Sequence, residues 1–201
     1  MKDNANRILK IDQISEGILR LLLNDPKNKN ALSYQMMSQL KEELLKASSD
    51  DSIRVIIIAA VGDVFCSGHN LKDITDARSN EDDGKSYFLD LFNLCSSLMQ
   101  MIISCPKPVI AEVNGIATAA GCQLVASCDL AISSDISKFA TPGVNIGLFC
   151  STPMVALSRS VSKKEAMKML LTGDMIDAIE DKRTSLINDH VPSERLCDEV
   201  L

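Results

Sequence analysis

The sequence predicts an α/β fold with a largely parallel sheet. The runs Val55-Ile56-Ile57-Ile58-Ala59-Ala60, Val109-Ile110-Ala111-Glu112-Val113 and Leu130-Ala131-Ile132-Ser133 have strand length, and the first is unbroken apolar, the pattern of a strand covered on both faces. Segments of helical periodicity separate them, and such alternation implies right-handed β-α-β crossovers. No Pro/Gly/Ser-rich linker, internal repeat or low-complexity stretch divides the 201 residues. That length buries one substantial core, so a single domain is expected.

Residues 8–14 and 17–23 read as two strands around the turn Ser15-Glu16-Gly17, the second rich in branched side chains. Ser33 is placed as an N-cap, and behind it Met37, Leu40, Leu44 and Ala47 recur at helical spacing with charges opposite. The next strand is expected within residues 53–60. Asp73, Asp76, Glu81, Asp82 and Asp83 surround Gly84 and read as a solvated, mobile acidic lid rather than a metal site. Residues 87–105 are apolar but interrupted by Asp90, Asn93, Ser96, Ser97 and Gln100. They fall short of the roughly 18 apolar residues of a membrane span and read as a buried helix ended by Pro106 and Pro108. Beyond Gly143, helices are expected at 154–161, 163–171 and 194–201, the last capped by Ser193, with a short extended piece at 186–191.

The formal charge of −6 and an isoelectric point near 5.0 argue against a nucleic-acid partner, because no basic stripe is present to release phosphate counterions. Seven cysteines, an odd count without C-x-x-C spacing, read as reduced core thiols. With His69 and His190 as the only histidines, no metal is expected. The stretch Met1-Lys2-Asp3-Asn4-Ala5-Asn6 lacks an apolar signal core and the Arg-rich character of a transit peptide. A cytoplasmic location is therefore the default, or the mitochondrial matrix if a targeting segment has been removed.

Two strand-to-turn segments carry the chemistry: Val64-Phe65-Cys66-Ser67-Gly68-His69-Asn70-Leu71 and Val113-Asn114-Gly115-Ile116-Ala117-Thr118-Ala119-Ala120-Gly121-Cys122-Gln123-Leu124. Small residues ahead of a helix expose backbone N–H groups, and two such turns facing one another supply donors for an oxyanion. Both segments resemble the crotonase, or enoyl-CoA hydratase/isomerase, family. So do Asn28-Lys29-Asn30-Ala31-Leu32, Lys107-Pro108-Val109-Ile110-Ala111, Cys128-Asp129-Leu130-Ala131 and Leu170-Leu171-Thr172-Gly173, all in family order. The likeness runs from about Ile18 nearly to the end. Residues 115–123 with 139–153 are most similar to the branch of the family called enoyl-CoA hydratase domain-containing protein 3. The resemblance implies a crotonase-like β-β-α spiral with a core at about residues 7–160. It also implies a helical C-terminal portion at about 161–201, shortened relative to the further helices of the family. The implied ligand is an acyl-CoA or enoyl-CoA thioester, with no cofactor beyond the coenzyme A of the substrate, and the implied assembly is a homotrimer or a dimer of trimers. Without the further helices, exposed apolar surface and a poorly stable monomer are expected.

Matching positions to the family motif puts the oxyanion donors at the backbone N–H groups of His69 and Ala120, the latter at a helix N-terminus. Ala119 and Ala120 stand where most relatives have glycines. Alanine resists positive φ, so the turn is expected to need ordinary dihedrals to keep its donor direction. The resemblance places coenzyme A contacts at Lys29, Ala31, Leu32, Cys66, Ser67, Gly68, Asn70, Leu71 and Gly121. Lys29 would meet a phosphate, and Asn70, where aspartate is usual, would order its own turn. The two catalytic glutamates of the family correspond to Gln123 and Gly143, and a further acid of isomerase relatives corresponds to Ser151. Hydration needs a base and an acid, whereas glutamine can orient water without titrating and glycine offers no side chain. The His69 side chain has a fitting pKa range, yet a turn that donates its backbone inward is expected to turn that side chain outward. Cys122 and Cys150 lack a partner motif and read as buried thiols. Two functions follow: a hydratase/isomerase-type enzyme working through a backbone oxyanion hole, with Gln123 positioning water, or a non-hydratase acyl-CoA-binding or regulatory protein. Hydrolysis is the weaker alternative, since no serine occupies the turn beside Ala120.

Overall fold

Alternating apolar runs and capped helices set the order of elements in the computed structural model, which describes residues 7–201. Residues 1–6, read above for targeting signals, lie outside the described residues. The first half comprises β1 (Leu9–Ser15), β2 (Ile18–Leu23), α1 (Tyr34–Ser49), β3 (Val55–Ala60), β4 (Val64–Cys66), α2 (Leu71–Ala77) and α3 (Lys85–Ile103). Next come β5 (Val109–Val113), β6 (Ile116–Thr118), α4 (Ala120–Ser127), β7 (Leu130–Ser134) and β8 (Lys138–Ala140). The remainder is α5 (Ser151–Ser160), α6 (Lys163–Thr172), β9 (Ile176–Asp177), α7 (Ala178–Thr184), β10 (Asp189–Val191) and α8 (Leu196–Val200).

One sheet runs β1-β2-β3-β5-β7-β10, and a smaller one runs β4-β6-β8-β9. The β1/β2 and β8/β9 pairs are antiparallel, and the pairs that β3, β5, β6 and β7 make with their neighbours are parallel. As its unbroken apolar run predicts, β3 is covered on both faces. Ile56 and Ile58 enter the main core, while Ile57 and Ala59 pack with Leu196 and Val200 of α8. Ser33 Oγ accepts from the N–H of Met36 at 3.1 Å, and Met37, Leu40, Leu44 and Ala47 all face the core. Asp129 Oδ2 accepts from Val109 N–H at 2.8 Å, which ties the start of β5 to the start of β7.

The structure corrects several expectations. The smaller sheet was not foreseen, because strands of two or three residues are too short to show a period. The acidic segment is not a loop throughout: Asp73 and Asp76 lie on α2, which Asn70 caps through Lys72 N–H at 3.0 Å. Asp82 accepts from Gly84 N–H at 3.0 Å and from Ser86 N–H at 2.8 Å, ordering the start of α3. The α3 helix is buried on one face only. Leu91, Cys95, Leu98, Met99 and Ile102 are inside while Leu89, Phe92 and Ile103 are exposed. By length and composition α3 is apolar enough to cross a membrane; here it packs against α1 and α4. Ser193 does not cap α8 but opens a 3-10 turn, and α7 occupies a stretch for which no helix was expected.

Two residues of α7 work against stability. Ser185, its C-cap, takes φ +72°, a left-handed position that favours glycine. Asp181 is fully buried, and neither carboxylate oxygen has a hydrogen-bond partner among the described residues. Burial pushes its carboxyl up to about 8, with Asp177 and Glu180 adding to the effect. The folded pKa therefore lies above the unfolded one, so the folded chain binds the proton more tightly. Stability is full below about pH 4 and falls as pH rises towards 8, a loss of roughly 4 kcal/mol at pH 7. Asp181→Ala is expected to raise unfolding free energy at pH 7 by up to that amount and to flatten its pH dependence. Urea denaturation of both chains at about pH 4.5, 7 and 8.5, which spans the linkage window, checks this, and a wild-type curve that does not fall across that range refutes it.

Candidate active site

The site is built by the parallel pairing of β4 with β6, in which Val64 faces Ile116 and Cys66 faces Ala117. Both strands end on the same side, so the turns Ser67-Gly68-His69 and Ala119-Ala120-Gly121 emerge next to each other. Thr118 Oγ1 donates to Ser67 O at 3.1 Å and extends the pairing past the strand ends. Gly121 presses on Cys66 so closely that an added β-carbon would overlap the Cys66 carbonyl. At Gly68 (φ +89°) an added β-carbon would stand 3.0 Å from Ala119 Cβ and 3.2 Å from Ala120 N. The two turns therefore touch through backbone.

Ala119 does not keep ordinary dihedrals. It sits at φ +51°, ψ −120°, which overturns the expectation for this turn. Two hydrogen bonds hold it there: Ala119 N–H donates to Ala140 O at 2.9 Å, and Gln123 N–H donates to Ala119 O at 3.0 Å. This dihedral starts α4 at Ala120, whose N–H is in the first turn and has no carbonyl within the helix. Neither His69 N–H nor Ala120 N–H donates to another backbone group among the described residues. Two unspent donors thus flank the junction of the turns.

The segment 26–32 closes one side. Asn30, fully buried, donates from Nδ2 to Val61 O at 2.9 Å and Val64 O at 2.7 Å, and its Oδ1 accepts from Asp25 N–H at 2.8 Å. Lys29 and Asn30 are both left-handed, at φ +54° and +50°. Leu32 N–H donates to Gly68 O at 2.8 Å and Ser67 N–H to Lys29 O at 3.2 Å. The fold thus joins Lys29, Ala31 and Leu32 to Cys66, Ser67, Gly68 and Asn70. Ala31, Leu32, Cys66 and Gly121 are buried, whereas Lys29 and Leu71 are exposed. Beside this loop runs a polar groove of about 710 Å³ lined by Asp25, Asn28, Asn70, Asp73 and Tyr87. Neither Asn30 nor Thr118 was singled out from the sequence. Asn30 stood inside a quoted motif, but its role depends on carbonyls more than thirty positions away.

Gln123, buried on α4, lines a cleft of about 370 Å³ with Phe92, Met99 and Ile103 of α3 and Val155 and Arg159 of α5. Its Oε1 is buried without a partner among the described residues. Gly143 lies in the 3-10 turn Pro142–Ile146. A β-carbon there would overlap the Leu148 carbonyl and come within 2.7 Å of Cys150 Sγ, so this turn leaves no room for an acidic side chain. Ser151 is exposed at the start of α5. The His69 ring is half-buried and turned inward, contrary to expectation. Its Nδ1 lies 3.3 Å from Leu32 O, its face or edge meets Phe92 with ring centroids 5.4 Å apart, and its Nε2 is buried without a partner among the described residues. Burial lowers its pKa. Burial raises the Cys122 and Cys150 thiols and pushes Cys66 up to about 12, so none is poised as a thiolate at neutral pH.

A model of the family described as enoyl-CoA hydratase/isomerase matches residues 13–201. The chain is 52% identical over 191 residues to the enoyl-CoA hydratase domain-containing protein 3, mitochondrial, of Xenopus laevis, covering 95% of this chain and 63% of that protein. Among solved structures, the human enoyl coenzyme A hydratase domain-containing protein 3 superposes with a TM-score of 0.89 at 47% identity, over 96% of this chain and 74% of that one. An enoyl-CoA hydratase of Mycobacterium smegmatis superposes with a TM-score of 0.91 at 44% identity, over 97% and 74%. The chain spans 59% of the corresponding mouse protein and 60% of the human one, under two thirds of each.

The strain at Ala119 yields a direct test. A non-glycine residue in such a region costs about 1–3 kcal/mol, offset by about 0.4–1 kcal/mol of extra unfolded-state entropy when glycine replaces it. Ala119→Gly is expected to raise the chemical-denaturation midpoint by the equivalent of about 1 kcal/mol net. A lowered midpoint would show that Ala119 is not strained.

Proposed function

Because the chain belongs to the enoyl-CoA hydratase/isomerase family, we propose that it binds an acyl-CoA or enoyl-CoA thioester and polarises its carbonyl between the N–H groups of His69 and Ala120. The observation that carries this reading is the contact of the two turns with both donors unspent. A thioester carbonyl gains negative charge when its α-carbon is deprotonated or its β-carbon is attacked, and fixed donors oppose that charge. Lys29, Ala31, Leu32, the Cys66 to Leu71 turn and Gly121 form the seat for coenzyme A, which arrives as part of the substrate. Gln123 holds a water in the cleft through its free Oε1. The two-glutamate route to hydration is not part of the proposal, since Gln123 does not titrate and the turn at Gly143 admits no side chain.

That same crowding at Gly143 favours a second reading, a thioester-binding or regulatory protein that performs no hydration. The exposed apolar side chains of Ile146, Leu148, Leu171, Met175 and Ile179 are compatible with association through an apolar surface, and the homotrimer or dimer of trimers rests on the family resemblance alone. The mitochondrial designation of the similar proteins supports a mitochondrial location over a cytoplasmic one.

Calorimetry with a saturated acyl-CoA and mass spectrometry with a panel of enoyl-CoA esters separate the readings. Binding with turnover supports the enzyme, binding without product supports the binding module, and absence of binding rejects both. Proline is tolerated at the first position of a helix and lacks the donor, so Ala120→Pro is expected to slow turnover by about 10²–10³-fold. Undiminished turnover in that variant would remove Ala120 from the site.

A further inference from the structure

We propose that the cleft between α3, α4 and α5 binds an aliphatic chain of medium length that ends in a carboxylate, with the chain between the helices and the carboxylate on Arg159. The cleft holds about 370 Å³, within the range of small-molecule sites. Its lining runs along α3 from Phe92 to Ile103, about 17 Å of helix, and along α5 from Thr152 to Arg159, about 10 Å. The space is therefore long and narrow. Phe92, Ile103 and Val155 are large apolar side chains left exposed, and all three wall this one cleft together with buried Met99. Exposed apolar residues scattered singly need no explanation, whereas a set gathered in one concavity points to a ligand.

The charge of the lining says what that ligand carries. Among the described residues Arg159 is the only charged one on the cleft, and its guanidinium has no ion-pair or hydrogen-bond partner there. Ser160 Oγ donates to Ala126 O at 3.0 Å and pins the end of α5 to α4, so the backbone that carries Arg159 is fixed against the cleft. Arg159 lies in the last turn of α5, where the helix dipole offsets part of its charge. That dipole supplies no bidentate acceptor. A carboxylate does, because its two oxygens match the planar fork of a guanidinium. One cation and no acidic residue select a singly charged head on an apolar body. A free medium-chain carboxylic acid offers that end group, and so does the far end of a dicarboxylic acyl thioester. Gln123, one turn of α4 beyond Ala120, lines the buried end of the cleft. Only the second source rests on the thioester-binding reading above.

The test is calorimetry on the whole chain with octanoate, octylamine, octanoyl-coenzyme A and suberyl-coenzyme A, whose acyl chain ends in a carboxylate. With the free acid as occupant, octanoate binds, octylamine binds at least about tenfold more weakly, and Arg159→Gln weakens octanoate about tenfold. Arg159→Lys keeps a point charge and recovers part of that loss. With the thioester as occupant, suberyl-coenzyme A binds about tenfold more tightly than octanoyl-coenzyme A, and Arg159→Gln removes the preference without weakening octanoyl-coenzyme A. In either case Val155→Trp, which fills the cleft from an exposed position, weakens the carboxylate-ended ligand, with circular dichroism reporting that the variants stay folded. Either pattern supports the proposal. A wild type that neither binds octanoate nor prefers suberyl-coenzyme A overturns it, as do affinities that Arg159→Gln leaves unchanged. Octanoate binding that depends on Arg159, with no thioester bound at all, rejects the thioester reading and leaves this one standing.

Discussion

The close approach of Gly121 to the Cys66 carbonyl sets the geometry on which the site depends. β4 and β6 pair over three residues each, and such short strands hold little register by themselves. With no side chain at Gly121 the backbones can touch, and the bonds from Thr118 to Ser67 and from Leu32 to Gly68 continue the contact beyond the strands. A larger residue at either glycine would part the turns by the width of a methyl group. The proposed convergence of two N–H donors on one oxygen requires that gap to stay closed.

Holding the turns this way has a local cost. Lys29, Asn30 and Ala119 all take left-handed or related dihedrals within this small region, and His69 Nε2 and Gln123 Oε1 are buried without partners beside it. Asn30 offsets part of the cost. Its side chain satisfies three backbone groups at once and clamps the loop to the segment between β3 and β4. Strain concentrated where backbone donors are exposed is the pattern of a functional site. The tension in α7 is of another kind. Asp181 and Ser185 lie in a helix that contributes no donor to the turns, so the cost there falls on stability without shaping the pocket.

The chemistry left to the chain is narrow. The positions at which the family resemblance implied acids hold an amide, Gln123, and a glycine, Gly143, and the glycine is packed under Leu148 and Cys150. A carboxylate cannot be restored at that glycine without moving the turn. What remains is a pair of unspent backbone donors, a cleft of moderate size with an amide in its wall, and one imidazole whose Nδ1 lies beside the Leu32 carbonyl.

The sequence by itself determined the elements that are long enough to show a period. The runs of β2, β3 and β5, the stripe of α1 and its Ser33 cap are all local patterns, and each is found in the structure within one or two residues. The family motifs, and the absence of acids at Gln123 and Gly143, were equally legible because they depend on residue identity alone. Tertiary structure decided the rest. The smaller sheet is made of strands too short to alternate, α2 formed where charge suggested a loop, and α3 turned one apolar side outward. Ala119 was forced to positive φ by bonds to Ala140 and Gln123, and the His69 ring was drawn inward by the Leu32 carbonyl, 37 residues away in the chain. Propensity acts over a turn or two of chain, whereas strain, burial and side-chain direction are set by partners that only folding brings together.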